Sequence, residues 1–288
     1  MGITLSLIVP VYNMGHSIDS TLSHLVDQKE YLNDIEIIFI DDCSIDNTLH
    51  IINNYIFPNM KVIKNQTNLS SGVSRNIGIQ HANGKFIGFL DGDDFYQLDV
   101  AFELIKNLEK DKLNYGAASY QDVGDTKQKG IWIAQEGTTS LLTGIKNIFR
   151  IVNPACWNKI HRRSFLIEKE ITFPKSIYAE DLAFTIQCLG HCNQIFLLHK
   201  PIVTYLPPAQ NEKSTYGNIG NGKWQDLFIS LNHVKDIFED DVKQHMFRDC
   251  AKHYIDALRK KIDGSLIFEF ESAAKTWLEK LEKENSYE

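Results

Sequence analysis

With 288 residues, 43% of them apolar, the chain can bury one large core, or a core with an appendage. Its 30 basic and 37 acidic residues leave a formal charge of −7, which excludes a broad nucleic-acid surface because no basic stripe exists to neutralise many phosphates. No apolar run approaches the ~20 residues that span a bilayer, so any membrane contact is expected to be peripheral.

Leu5 to Val11 reads as a buried strand, and it runs into Tyr12-Asn13-Met14-Gly15 without a Gly-x-Gly-x-x-Gly turn. This argues against a dinucleotide-binding oxidoreductase and against the triphosphate loop of a nucleotidyltransferase. Ile18, Leu22 and Leu25 share one helical face, and Ile35 to Ile40 forms a second apolar strand ending in Asp41-Asp42. Asp46 suits the N-cap of a helix through Leu49, Ile52 and Tyr55, and Lys61 to Lys64 reads as a third strand. A helix through Val73 and Ile77 stops at Asn83-Gly84, and Lys85 to Leu90 makes a fourth strand that ends in Asp91-Gly92-Asp93-Asp94.

Strands and helices alternating over short connections predict an α/β fold, with a Rossmann-like, mostly parallel sheet flanked by helices. Both acid clusters then fall at the carboxyl ends of neighbouring strands, where open α/β sheets bind ligands. Asp91 and Asp93 can converge on a hard cation, with Gly92 bending the chain between them; the same residues also suit a plain turn and helix cap.

Further on, a helix through Val100 and Leu108 leads to a strand near Tyr115 to Ser119, a polar segment at Gln121 to Gly130 and renewed apolar spacing from Trp132 to Ile148. In Trp157-Asn158-Lys159-Ile160-His161-Arg162-Arg163 an aromatic lies beside a basic cluster, which fits either a site or a core Trp next to a solvated basic turn. Glu180-Asp181 open a helix, where acids suit the dipole. Ile195 to Leu198 and Ile202 to Tyr205 read as two strands, Pro207 to Gly222 as a loop, and the remainder as amphipathic helices packed on the main domain. The five cysteines are odd in number, and with no signal peptide they suggest a reducing cytoplasm. Cys188, His191, Cys192 and His199 crowd together without the second half of a zinc pattern.

Taken in order, Ser6 to Asn13, Ile40 to Asp46, Ser74-Arg75-Asn76-Ile77-Gly78, Phe89 to Asp94 and Glu180-Asp181 resemble the inverting family 2 glycosyltransferases with the GT-A fold, and Trp157 to Arg163 resembles their bacterial capsule and lipopolysaccharide members. The resemblance implies a metal-dependent, non-processive enzyme that moves a sugar from a UDP-sugar to a hydroxyl of a growing bacterial surface glycan, the acceptor often lipid-linked. It would work in the cytoplasm, in peripheral contact with the inner face of the membrane. A non-catalytic nucleotide-sugar-binding subunit of a polysaccharide synthesis complex is the alternative.

Carried over by position, Pro10, Val11 and Tyr12 would border the base and Asp42 would accept the uracil N3–H, which a carboxylate can do but cytosine cannot offer; thymine can, so a dTDP-sugar also fits. Arg75, Asp91 and Gly92 would line the donor, Asp93 and Asp91 would hold Mn²⁺ or Mg²⁺, and Asp181 would be the catalytic base. Glu180, Trp157 and Lys159 fall on the acceptor side, and Asp94 would cap the next helix. Members often carry His or Arg where this chain has Leu206, leaving Lys213, Ser214 or Thr215 to replace that contact. Residues 1–215 are expected to form the catalytic domain and 216–288 a C-terminal helical extension.

Overall fold

The computed structural model describes residues 2–123, 136–140, 153–206, 223–238 and 241–284. Its first half follows the predicted alternation: β1 (Leu5–Val11), α1 (Ile18–Val26), β2 (Ile35–Asp41), α2 (Thr48–Asn53), β3 (Met60–Lys64), α3 (Ser71–His81) and β4 (Phe86–Phe89). β1 and β2 are buried along their whole length, which is why both read as unbroken apolar runs rather than alternating ones.

After them come β5 (Phe95–Tyr96), α4 (Leu98–Lys110), β6 (Tyr115–Asp122), β7 (Gly137–Ser140), β8 (Lys159–Arg162), α5 (Arg163–Glu168), α6 (Glu180–Gly190) and β9 (Gln194–Tyr205). One sheet runs β3-β2-β1-β4-β8-β6-β9-β5, with β7 paired to β9. It is parallel from β3 to β4 and again at β6-β9, but β8 enters antiparallel to both neighbours, so the sheet is mixed.

β8 is the strand that local pattern hides. The basic run, which fits either a site or a solvated turn, is a central strand, with Lys159 and His161 fully buried. Tertiary partners override its polarity: His161 sits among the rings of Phe89, Tyr115 and Phe184, and the Arg162 guanidinium lies over Phe86 and bridges Glu109 at 2.9 Å. Burial among rings pushes the His161 imidazole down to about 3, so it is neutral at physiological pH.

The two strands expected at 195–198 and 202–205 are one strand. Pro201 cannot donate to a ladder, and it is accommodated where pairing with β6 slips, Leu198 facing Ala118 but Pro201 facing Ser119.

The C-terminal helices α7 (Gln225–Asn232), α8 (Asp241–Arg259) and α9 (Ile267–Glu284) join α6 and one face of the sheet in a single apolar cluster that includes Phe89, Phe184, Trp224, Phe247 and Phe270. Asp226 ties α7 to the segment before α6, accepting from Ile177 N at 2.9 Å and Tyr178 N at 3.1 Å. Among the described residues no helix is long and apolar enough to cross a membrane.

At the sheet end opposite the acids, Glu36 is 2% exposed and ties three segments together. It accepts from Ser6 Oγ at 2.6 Å, Gly84 N at 3.1 Å and Lys61 Nζ at 2.8 Å, and from Asn83 N. Burial would raise this carboxyl, but the hydrogen bonds from Lys61, Ser6 and Asn83 outweigh it and hold the group below its ordinary value of 4.5. Its stabilising contribution is therefore present above that value and is lost as pH falls through the lower folded one. Glu36→Ala is expected to cost about 2 kcal/mol in urea unfolding at pH 7, through the buried donors it orphans, with the gap to wild type narrowing in acid.

Candidate active site

The loops leaving β1, β2 and β4 and the N-termini of α3 and α6 meet at one rim of the sheet. Non-glycine residues with left-handed backbone mark four of these junctions: Asn13 (φ 52°), Cys43 (φ 69°), Ser70 (φ 84°) and Ala179 (φ 62°). Such conformations cost about 1 kcal/mol or more each and persist where the surroundings over-determine them. The surroundings here include Asn13 N donating to Ser44 Oγ at 3.0 Å and Ile45 N donating to Asn13 Oδ1 at 2.9 Å.

Arg75 stands at the centre. Its side chain is 4% exposed, with Nη2 on Asp91 Oδ1 at 2.7 Å, Nη1 on Asp181 Oδ1 at 3.0 Å and Glu180 Oε1 at 3.9 Å. Residues 16 and 106 positions away thus share one guanidinium. A buried guanidinium needs such acceptors, since its planar fork stays charged. The tie between α3 and the start of α6 is reinforced by a reciprocal amide pair: Asn76 Nδ2 donates to Phe173 O and Phe173 N donates to Asn76 Oδ1, both at 2.9 Å. Gly72 permits this approach, because a Cβ there would lie 3.1 Å from Glu180 Cγ and from Phe173 Cβ. Nothing in the local pattern signalled the Asn76–Phe173 link.

Asp181 lies in the first turn of α6 with its side chain 24% exposed. Oδ1 accepts from Arg75, and Oδ2 accepts from Cys156 N at 3.1 Å, so both oxygens are oriented. Glu180 beside it is more enclosed and accepts from Ser71 Oγ at 3.0 Å. Burial and the adjacent Asp181 charge push its carboxyl up to about 7.

Asp94 differs from its expected role as a helix cap. It is fully buried and its Oδ1 accepts Leu206 N at 2.9 Å, pinning the end of β9 to the acid cluster. Helix α4 is started instead by Gln28, whose Oε1 accepts Leu98 N at 2.7 Å. Burial, with the charges of Asp91 and Asp93, pushes Asp94 up to about 9, and its Oδ2 has no hydrogen-bond partner among the described residues. Asp91 at the end of β4 shares one guanidinium with Glu180 and Asp181 of α6, and its carboxylate, like that of Asp93, is the hard oxygen type that a divalent cation takes. Among the described residues no three His, Cys, Asp or Glu side chains are arranged to hold a metal alone, so substrate oxygens would complete its shell.

The expected donor-side residues separate on inspection. Pro10 and Val11 are buried inside β1, whereas Tyr12 is 45% exposed at the rim. Pro10 and Val11 therefore support the site from within the sheet rather than offering a face to it. Asp42 is 3% exposed and already accepts three bonds: Asn65 Nδ2 at 2.8 Å and Leu69 N at 2.8 Å on Oδ1, and Ser70 N at 2.9 Å on Oδ2. A carboxylate has about four acceptor directions, so among the described residues one remains, on Oδ2. Gly92 is buried in the turn that Asp94 N closes on Asp91 O at 3.1 Å, and it also permits close packing, since a Cβ would meet Met14 Sδ at 2.6 Å.

On the other flank, Trp157 packs edge-on to Tyr120 at 4.8 Å and parallel to Tyr205 at 6.4 Å, and burial and nearby acids, Asp94 first among them, raise the Tyr205 hydroxyl. Lys159 does not face an acceptor: it is fully buried on β8, its ammonium bonded to Asn153 O, Ala155 O and Asn158 Oδ1. Lys213, Ser214 and Thr215 lie outside the described residues, as do residues 124–135 and 141–152.

A mixed sheet with acids at adjacent strand ends and a helix-borne carboxylate facing them is the GT-A architecture. The crystal structure of residues 1–349 of Staphylococcus aureus TarS in complex with UDP-GlcNAc superposes with a TM-score of 0.72 at 22% identity, covering 88% of this chain and 72% of that one. A Pyrobaculum calidifontis mannosyltransferase, PcManGT, in complex with GDP-Man and Mn²⁺ has the fold at TM-score 0.53 and 13% identity over 98% of this chain and 87% of that one. The family model described as Glycosyl transferase family 2 matches residues 6–167, and the chain belongs to that family. A curated relative, the poly(ribitol-phosphate) beta-N-acetylglucosaminyltransferase TarS of S. aureus strain Mu50, is 30% identical over 216 residues, 72% of this chain but only 36% of its own length.

Because Glu180 is raised in the folded state, it binds its proton there at pH values where the unfolded chain has lost it. The stability this brings is present below the ordinary 4.5 and is lost as pH rises through about 7. Glu180→Gln, which keeps an acceptor for Ser71, is therefore expected to be more stable than wild type in denaturant titrations at pH 8 and equal to it near pH 4.

Proposed function

We propose that the protein is a metal-dependent, inverting, non-processive glycosyltransferase that moves one sugar from a UDP-sugar to a hydroxyl of a bacterial surface glycan. The observation that carries this reading is the single buried Arg75 bridging Asp91 and Asp181, which sets the donor-side acids and an oriented, partly exposed carboxylate on one rim. The UDP-GlcNAc complex of the structural neighbour supports a UDP donor, and the name of the curated relative supports a polyol-phosphate glycan among the acceptors.

In this reading Asp181 takes the proton of the acceptor hydroxyl while that oxygen bonds to the anomeric carbon, and the bond from that carbon to the diphosphate oxygen breaks on the opposite side. Arg75 and Cys156 N hold both oxygens of the base, so the proton is received in a defined direction. A divalent cation on Asp93 and Asp91 would supply positive charge to the departing diphosphate, which bare carboxylates would repel by about 1 to 4 kcal/mol per pair. Tyr12 and the remaining acceptor direction of Asp42 lie on the nucleotide side, and Trp157 on the acceptor side. We assign this chemistry to residues 1–215 and a packing role to the helices of 216–288, which would also provide any peripheral contact with the inner membrane face.

Asp181→Asn is expected to keep UDP affinity, measured by calorimetry, and to lose at least about 100-fold in UDP release with acceptor present; wild-type turnover would remove the base assignment. EDTA is expected to abolish that release and Mn²⁺ to restore it. Asp93→Asn should raise the Mn²⁺ concentration needed for half-maximal rate by about tenfold or more, and an unchanged Mn²⁺ dependence would contradict the assignment of the ligand.

A further inference from the structure

The proposed chemistry leaves one buried amine unused, that of Lys159, which burial pushes down to about 7. Lys159 is fully buried in the middle of the sheet, on β8, in register with Ala117 of β6. Its three ammonium hydrogens meet three oxygens: Asn153 O at 2.6 Å, Asn158 Oδ1 at 2.7 Å and Ala155 O. Those acceptors lie on both sides of Cys156 in the chain, and Cys156 N is the donor that holds Asp181 Oδ2. The turn has further anchors: Thr185 Oγ1 donates to Pro154 O at 2.8 Å, and Ala155 N donates to Asn153 Oδ1 at 2.8 Å.

We infer that Lys159 is the positioning residue for Asp181, its ammonium gathering the 153–158 turn so that the Cys156 N–H is aimed at the base. The inference rests on the reading of Asp181 as that base. A buried ammonium is an expensive way to close a turn, because it carries a desolvation penalty that an apolar side chain would avoid. What the cation provides over an apolar residue is geometry: three convergent acceptors define the turn relative to the sheet. Asn158 extends the same reference, donating through Nδ2 to Ala118 O at 2.7 Å while its own carbonyl accepts Ala118 N at 2.9 Å. Asp181 is thus held at two points, one oxygen by Arg75 from α3 and the other by a turn clamped to β6 and β8.

Lys159→Met keeps the length and volume of the stem and removes the three donors. Its kcat is expected to fall by about 10- to 100-fold, as for a base displaced by a fraction of an ångström, with UDP affinity and donor KM within about twofold of wild type. In the Asp181→Asn background the same substitution should change the residual rate by less than about twofold, because residues that act through one another do not add. Lys159→Gln, which retains two N–H donors, should recover part of the rate, and it carries the same comparisons if Lys159→Met melts below the assay temperature. A full multiplicative loss in the Asp181→Asn background, or wild-type kcat in a folded Lys159→Met protein, overturns the inference. Wild-type turnover of Asp181→Asn would overturn the reading of the base instead.

Discussion

The rim of this protein depends on one guanidinium. Arg75 is almost completely removed from water, yet it stays charged, and the only way to keep such a group inside a fold is to surround it with anionic acceptors. Asp91 comes from the end of β4 and Asp181 from the start of α6, and Arg75 satisfies both within hydrogen-bonding distance. The requirement is mutual. Without the cation, three carboxylates would share a poorly solvated space; without the carboxylates, the arginine would have no reason to be there. The Asn76–Phe173 amide pair and the missing Cβ of Gly72 bring α3 near enough to α6 for the bridge to close.

Around that centre the acids are differentiated by burial rather than by type. Asp94 is enclosed and pushed upward, and it spends its oxygen on the Leu206 N–H, joining the end of β9 to the rim. Glu180 is raised less and bonded to Ser71, whereas Asp91 and Asp181 remain partly open to solvent. The enclosed members build the site, and the exposed ones face whatever enters it. The same division separates Pro10 and Val11, which are sheet interior, from Tyr12, which is rim.

Much of this was legible beforehand, because buried parallel strands write themselves as unbroken apolar runs and end where acids begin. β1, β2 and β4, the helices between them and the clusters Asp41-Asp42 and Asp91 to Asp94 could be placed from residue pattern and crossover rules alone. β8 could not, since Lys159, His161 and Arg162 carry the signature of a solvated turn. Its burial depends on oxygens from residues 153–158, on three aromatic rings and on Glu109, none of which a local window contains. Asp94 reads locally as a helix cap for the same reason: its partner is 112 residues away.

The amino-acid sequence by itself determined the α/β class, the run of strands that sets the rim, and the residue types gathered there, since these follow from hydrophobic period and from which residues tolerate a strand end. Only the tertiary structure decided that Arg75 joins Asp91 to Asp181, that Asp42 accepts three bonds from residues 65–70, and that Lys159 is buried and hydrogen-bonded rather than exposed. Pairing of charges across a hundred residues is a property of folded distance and burial, and neither quantity exists until the chain has closed on itself.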